Sequence, residues 1–163
     1  MGKSSRDKGA RFERRIASML SLSYGMDIRR TPMVLHMSDE NTIGKGNIIK
    51  SDVYCVNNKQ AFPLFVECKY RETYTVGSLF TKDNELYKEF KKTVFKKNAQ
   101  PLNELIPVIV FKGGDFKTEM LLIEINELIR MNYVLLGSSY FVMNYIAIVP
   151  FCDFLMFVEM YYG

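Results

Sequence analysis

The chain has no tryptophan, a single histidine (His36) and three cysteines among its 163 residues. One imidazole excludes a His-rich metal centre, and a loop histidine without a visible partner is no sign of catalysis. Cys55, Cys68 and Cys152 are odd in number and form no C-x-x-C pair. That excludes a disulfide framework and a zinc ribbon, and it reads the three as small hydrophobes of a reducing compartment. A long unbroken apolar run is also missing. The most apolar stretch, Phe141–Tyr162, is interrupted by Asn144, Pro150, Asp153 and Glu159. An Asp alone costs about 2.5–3.5 kcal/mol at mid-membrane, so two buried strands split at Pro150 are expected there, not a membrane span. The N-terminus is polar, without the apolar core of a signal peptide, and Arg6 stands where a myristoylation signal wants Ser or Thr. A cytoplasmic protein with no membrane attachment is the expectation.

What is present is charge, unevenly placed. Residues 1–30 hold eight Lys/Arg against three Asp/Glu, and the rest of the chain holds fourteen against fifteen. A basic excess at one end points to a polyanion partner such as nucleic acid. Residues 82–97 add a second basic surface, six Lys against three acids.

The chain is organised around Ser51–Tyr70. Ser51-Asp52-Val53-Tyr54-Cys55-Val56 and Phe62-Pro63-Leu64-Phe65-Val66-Glu67-Cys68-Lys69-Tyr70 are two short runs rich in β-branched and aromatic residues, parted by the polar Asn57–Gln60. They read as a β-hairpin. A buried unpaired charge costs several kcal/mol, so Asp52, Glu67 and Lys69 need partners, an edge or a metal. Alternation puts Phe65, Glu67 and Lys69 on one face. A hairpin folded midway between Lys59 and Gln60 sets Asp52 opposite Glu67. Two facing carboxylates repel unless a proton or cation lies between them, and a divalent cation with oxygen ligands fits that gap.

Residues 4–23 read as a helix, with Phe12, Ile16, Met19 and Leu20 in an apolar stripe. Arg11, Arg14 and Arg15 fall on the opposite side, and Glu13 borders the stripe. Asp27–Thr31 is a short strand ending at Pro32, with Arg29 and Arg30 at its far end. Met33–Lys50 reads as a long loop. Asp83–Ala99 reads as a helix with Leu86, Phe90, Val94 and Phe95 inward, and Pro107–Lys112 as a buried strand closed by Gly113-Gly114. Met120–Ile125 is a further strand candidate and Asn126–Met131 a helical turn or two. Tyr133–Leu136, Tyr140–Val149 and Cys152–Val158 read as closing strands. One α/β domain follows, built on a mixed central sheet flanked by helices.

A helix carrying a carboxylate, then an Asp, then E-x-K on the next strand resembles the PD-(D/E)xK nuclease superfamily. Lys8-Gly9-Ala10-Arg11-Phe12-Glu13-Arg14-Arg15 looks like the opening helix of archaeal-type and phage-encoded Holliday junction resolvases. Arg30-Thr31-Pro32, Ser51-Asp52-Val53 and Val66-Glu67-Cys68-Lys69 are similar to their following segments, and Leu86–Lys97 with Ile106–Lys112 to the helix and strand after those. The likeness runs over about residues 8–112. It implies a restriction-endonuclease-like core over about 4–112, with a β-rich, apolar C-terminal extension over about 113–163 that the resemblance does not cover. The chain departs from the pattern in its longer Met33–Lys50 loop, in Ser51-Asp52 where Gly-Asp is usual, and in Lys92 where the phage members often carry Gln. Ser38 and Ser51 are both candidates for the loop serine of the archaeal enzymes.

The resemblance implies that Asp52, Glu67 and the backbone carbonyl of Cys68 hold Mg²⁺, with Mn²⁺ as substitute. It implies that Lys69 orients the attacking water or stabilises developing charge, and that Glu13 assists metal binding. The products would carry a 5′-phosphate and a 3′-hydroxyl. Lys8, Arg11, Arg14, Arg15, Arg29, Arg30 and Lys92 would grip branched double-stranded DNA, and a homodimer would cut opposed strands during recombination or repair. The alternatives are another nuclease of the superfamily, or a non-catalytic DNA-binding protein on a decayed nuclease fold.

Overall fold

The computed structural model of the chain describes residues 3–32, 51–56, 62–81, 84–98, 104–133, 141–143 and 145–162. The Met33–Lys50 loop, with His36 and Ser38, lies outside the described residues. Phe12, Ile16 and Leu20 bury one stripe of helix α1 (Lys3–Tyr24). Gly25 closes that helix at a φ of 62°, a left-handed conformation that glycine takes without penalty. The hydroxyl of Ser21 then bonds both the N–H and the carbonyl of Ile28, turning the chain into β1 (Ile28–Arg30).

A five-stranded sheet forms the centre, in the order β3-β4-β5-β7-β6. Its strands are β3 (Leu64–Tyr70), β4 (Ile106–Gly113), β5 (Phe116–Glu124), β6 (Phe141–Met143) and β7 (Ile146–Pro150). β3 and β4 are parallel, joined through helix α2 (Glu85–Asn98), and the other pairings are antiparallel. Strict alternation sorts the side chains to two cores. Val66, Val108, Val110, Leu121, Ile123 and Val149 face α1 and helix α4 (Phe151–Tyr162). Ile109, Phe111, Met120, Leu122 and Ile148 face α2 with Tyr74 and Leu79. The architecture is α/β, a mixed sheet flanked by helices, as expected of a restriction-endonuclease-like fold.

Several expectations need correction. Residues 51–56 and 62–70 do not form a hairpin ladder. β2 (Val53–Cys55) pairs with β1, Arg30 opposite Val53 and Ile28 opposite Cys55, in a separate two-stranded sheet. Val53, Cys55 and Ile28 are thereby buried against α1. Cys152–Val158 is not a strand but part of α4. Phe151, Phe154, Leu155 and Val158 are buried at helical spacing while Cys152, Met156 and Glu159 are exposed. The run is apolar nearly all round, which hides that period. Of the other proposed closing strands, Tyr133 is irregular and 134–136 lie outside the described residues. Phe95 points outward at 76% exposure, and Thr93 takes the inward place. Within residues 113–163, β5 sits inside the sheet between β4 and β7. Asn126–Met131 corresponds to the short helix α3 (Ile125–Arg130). No helix among the described residues is long and apolar enough to cross a membrane.

The β4–β5 turn touches the chain leaving β3. Gly113 and Gly114 have φ of 123° and 60°, and a Cβ at Gly114 would lie 1.8 Å from the Tyr74 carbonyl oxygen. That oxygen accepts the Asp115 N–H at 2.9 Å, and the Asp115 carboxylate accepts the Val76 N–H at 2.9 Å. Gly114→Ala is expected to lower stability by about 2–4 kcal/mol, from left-handed strain plus overlap, as read by urea unfolding.

Candidate active site

Among the described residues, the edge strand β3 has a strand, β4, on one side only. On its other side two residues, Ser51 and Asp52, stand in for a strand. The fully buried Ser51 hydroxyl donates to the Val66 carbonyl at 2.8 Å and accepts the Val66 N–H at 2.9 Å. The Asp52 N–H donates to the same carbonyl at 2.8 Å, and the Cys68 N–H donates to Asp52 Oδ2 at 2.7 Å. Thr31 holds the pair from behind, its N–H on the Asp52 carbonyl at 2.9 Å and its hydroxyl on the Ser51 carbonyl at 2.6 Å. Ser51 is thus committed to the backbone of β3, which leaves Ser38, outside the described residues, as the other serine candidate.

Glu67 is only 3% exposed and faces α2. Lys69 Nζ lies 3.1 Å from its Oε2, and Lys96 Nζ lies 2.8 Å from its Oε1. Lys69 is also 3.7 Å from Glu89, and Glu89 is 2.9 Å from Lys92. An alternating chain of five charges therefore runs from Lys92 through Glu89, Lys69 and Glu67 to Lys96. Glu13 approaches from α1, placed by Phe12 packing edge-on against Tyr70 at 5.9 Å. The Arg30 guanidinium holds Glu13.

Charge here is unevenly balanced. Burial, then Glu67, then Glu13 push the Asp52 carboxyl from 3.8 up to about 7, against the Cys68 N–H and Lys69. Burial pulls Lys69 down, but the ion pair with Glu67, aided by Asp52 and Glu89, outweighs it, and the net direction is up. Lys69 is therefore an ammonium at neutral pH. Burial and the surrounding carboxylates raise the Cys68 thiol well above its usual value, so its sulfur stays protonated and only its backbone is available to the site.

The residues suit a hard divalent cation. Asp52 and Glu67 offer carboxylate oxygens, and Cys68 offers a backbone carbonyl, the ligand types that Mg²⁺ and Mn²⁺ prefer. The raised pKa of Asp52 comes first from its burial and then from the neighbouring carboxylates of Glu67 and Glu13. No cluster of three or more His, Cys, Asp or Glu poised for a metal occurs among the described residues. A cation would rest on two side chains and a main-chain oxygen.

Not every sequence candidate converges here. Arg30 contacts Glu13 and so belongs to the site as well as to the basic surface. Lys92 reaches it through Glu89. Arg15 turns back to Glu119, 3.1 Å away, and Glu119 also holds Lys112 at 3.1 Å. Arg29 grips Asp27 with both Nε and an NH₂, at 2.9 and 2.8 Å. Lys8 lies 3.6 Å from Glu72, and Arg11 and Arg14 are exposed on α1. Lys96 and Glu89 were missed by sequence reasoning. They lie seven residues apart, on one face of α2, which was the available signal.

An edge strand bearing E-x-K, with an aspartate pinned beside it and a helix carboxylate above, is the arrangement shared by PD-(D/E)xK nucleases. The chain belongs to the family described as "Phage putative PDDEXK endonuclease", whose model matches residues 4–145. No curated protein and no solved structure gives a significant match. Nucleases of this superfamily generally use divalent metals. The matched region reaches well past residue 112, in keeping with the central position of β5.

The clamp and the charge each have a measurable consequence. Ser51→Ala removes two buried hydrogen bonds and is expected to cost about 1–3 kcal/mol in urea unfolding. For Asp52, the folded chain keeps a proton between pH 3.8 and about 7 that the unfolded chain has released. Stability from this group therefore falls as pH rises through that window. The metal-free Asp52→Asn variant should match the parent near pH 4 and gain steadily on it. By pH 8 it should be more stable by on the order of 1–3 kcal/mol. Thermal melts in chelator read this, and a pH-independent difference would refute the assignment.

Proposed function

We infer that the chain is a metal-dependent, structure-selective endodeoxyribonuclease, and specifically a Holliday junction resolvase that introduces paired nicks at four-way DNA junctions. The observation that carries this is the Asp52 carboxylate held on the Cys68 N–H at 2.7 Å, beside the buried Glu67 and the charged Lys69. Asp52, Glu67 and the Cys68 carbonyl would hold Mg²⁺, or Mn²⁺ in its place. When bound, the cation supplies Lewis-acid charge beside the scissile phosphate and makes water a better nucleophile at neutral pH.

The protein's own groups do the rest. Lys69, being protonated, cannot take a proton from water; it donates to the phosphate oxygens or to the departing alkoxide. Lys96 and Lys69 each hold one oxygen of the buried Glu67 carboxyl and so fix its position. Glu13, fixed by Arg30, adds a carboxylate from the α1 side and can hold an attacking water through its second oxygen.

Exposed Arg11 and Arg14 on α1, together with Lys8, Arg15, Arg29, Arg30 and, from α2, Lys92, would meet the DNA backbone. Phosphate contacts set position without reading bases, which suits a substrate recognised by branching. A homodimer presenting two such sites would cut opposed strands.

Four-way junctions compared with linear duplex, flap and single-stranded DNA test the substrate. Symmetric paired nicks confined to the junction are expected; efficient cutting of plain duplex would assign the chain to a restriction-type or repair role instead. Asp52→Asn is expected to lower cleavage by on the order of 100-fold or more, with junction binding retained in a gel shift. Parental cutting by this variant would remove Asp52 from the reaction.

A further inference from the structure

Helix α2 has two flanks. One carries Glu89, Lys92 and Lys96 to the Asp52–Glu67 site. On the other, Tyr87, Lys91 and Val94 join Glu124, Tyr145 and Ile146 in lining a cavity of about 300 Å³. No residue assigned to cleavage enters this cavity, yet its composition is specialised.

Tyr145 is the most telling member. It is a large aromatic residue 81% exposed to solvent. Its φ is 67°, a left-handed conformation uncommon and strained for a bulky residue. Its carbonyl accepts the Ile125 N–H at 2.9 Å, which ties this backbone to the start of α3. The turn therefore keeps a strained residue whose ring contributes little to the core. The second ring, Tyr87, lies under the Lys91 ammonium, 4.4 Å from the ring centroid. Glu124 adds a carboxylate. It precedes α3 but makes no side-chain capping hydrogen bond, so capping does not explain its presence.

The surface between the two flanks is basic. Lys88, Lys91 and Lys92 are all exposed on α2. At about 100° per residue they step around the helix from the Lys92–Lys96 flank to the Lys91–Tyr87 flank. A DNA strand leaving the candidate active site across α2 meets this row and then the two tyrosines.

We propose that the cavity takes an unpaired nucleobase of the DNA strand that crosses α2 from the Asp52–Glu67 site. The proposal rests on the reading of that site as a DNA-cutting centre. Each base has a π-face that stacks on tyrosine whatever the sequence, and lysines at the rim meet the flanking phosphates. The carboxylate of Glu124 repels a phosphate from the interior but accepts a hydrogen bond from an exocyclic amino group. The base thus enters while its phosphate stays at the rim, and cytosine or adenine is favoured over thymine. An apolar peptide would fill the same volume, but it has no use for a lysine row leading to the catalytic flank.

The test is fluorescence anisotropy with the full chain in excess chelator, so that no strand is cut. The probes are short labelled oligo-dC and oligo-dT single strands and a duplex of equal length. Oligo-dC is expected to bind several-fold more tightly than oligo-dT. Tyr145→Ala should weaken oligo-dC binding about tenfold, with duplex affinity changed less than twofold, and Tyr145→Phe should retain parental binding. Glu124→Gln should erase the difference between dC and dT, and it carries the test by itself if Tyr145→Ala does not fold. Equal oligo-dC binding by Tyr145→Ala and the parent, or equal losses on single strand and duplex, overturns the proposal. So does a dC/dT ratio unchanged in Glu124→Gln. Because binding is read without turnover, these outcomes are independent of Asp52→Asn. Loss of single-strand binding in Tyr145→Ala, together with parental cleavage by Asp52→Asn, would leave the base site standing and remove the catalytic assignment.

Discussion

The hold of Ser51 and Asp52 on the outer edge of β3 is the constraint on which the site depends. An edge strand leaves a row of backbone groups without partners. Here the Ser51 hydroxyl takes both polar groups of Val66, and Asp52 uses its N–H and its carboxylate on Val66 and Cys68. Two residues thus act as a very short partner strand. They also couple the small β1–β2 sheet to the main one, with Thr31 completing the link. Because the contact is made by side chains as well as backbone, the position of the Asp52 carboxylate is set by the strand that carries Glu67 and Lys69.

That proximity has an electrostatic cost. Glu67 is buried and is held by two lysines, one from its own strand and one from α2. Asp52 lacks comparable support, and burial together with two neighbouring acids raises its pKa. Acidic groups are therefore gathered at the edge of β3, where a hard cation would find oxygen donors. A divalent cation would relieve that repulsion, and the same repulsion makes the metal-free site sensitive to pH. Lys69 and Arg30 each hold a carboxylate in place while remaining charged themselves, so the basic groups near the site orient acids as well as offering charge to a polyanion.

The parts of the fold that could be read from sequence were those governed by local periodicity. α1 shows a clean apolar stripe, and β4 is a short apolar run stopped by Gly113-Gly114. Alternation along β3 set Glu67 and Lys69 on one face, and both do meet groups of α2. Reading failed where burial is too uniform to show a period, as in Phe151–Val158. It failed again at Phe95, an aromatic that hydrophobicity alone would bury. The hairpin failed for another reason. Two neighbouring strands in sequence looked like natural partners, but β2 found its ladder on β1, and only its leading residues reached β3. The two acids nonetheless came together, through hydrogen bonds rather than through a ladder.

The sequence by itself determined the spacing of Glu67 and Lys69 on one strand face, the basic excess near the N-terminus and the helix that bears Glu13. Each follows from short-range geometry, a period of two or of 3.6 residues, that no distant contact has to supply. Only the tertiary structure decided that Lys96 and Glu89 join the site, that Arg30 binds Glu13 and that Asp52 sits on the edge of β3. Those meetings join segments far apart in the chain. They depend on which sheet edge remains open and which helix covers it, and neither is written in the neighbourhood of any one residue.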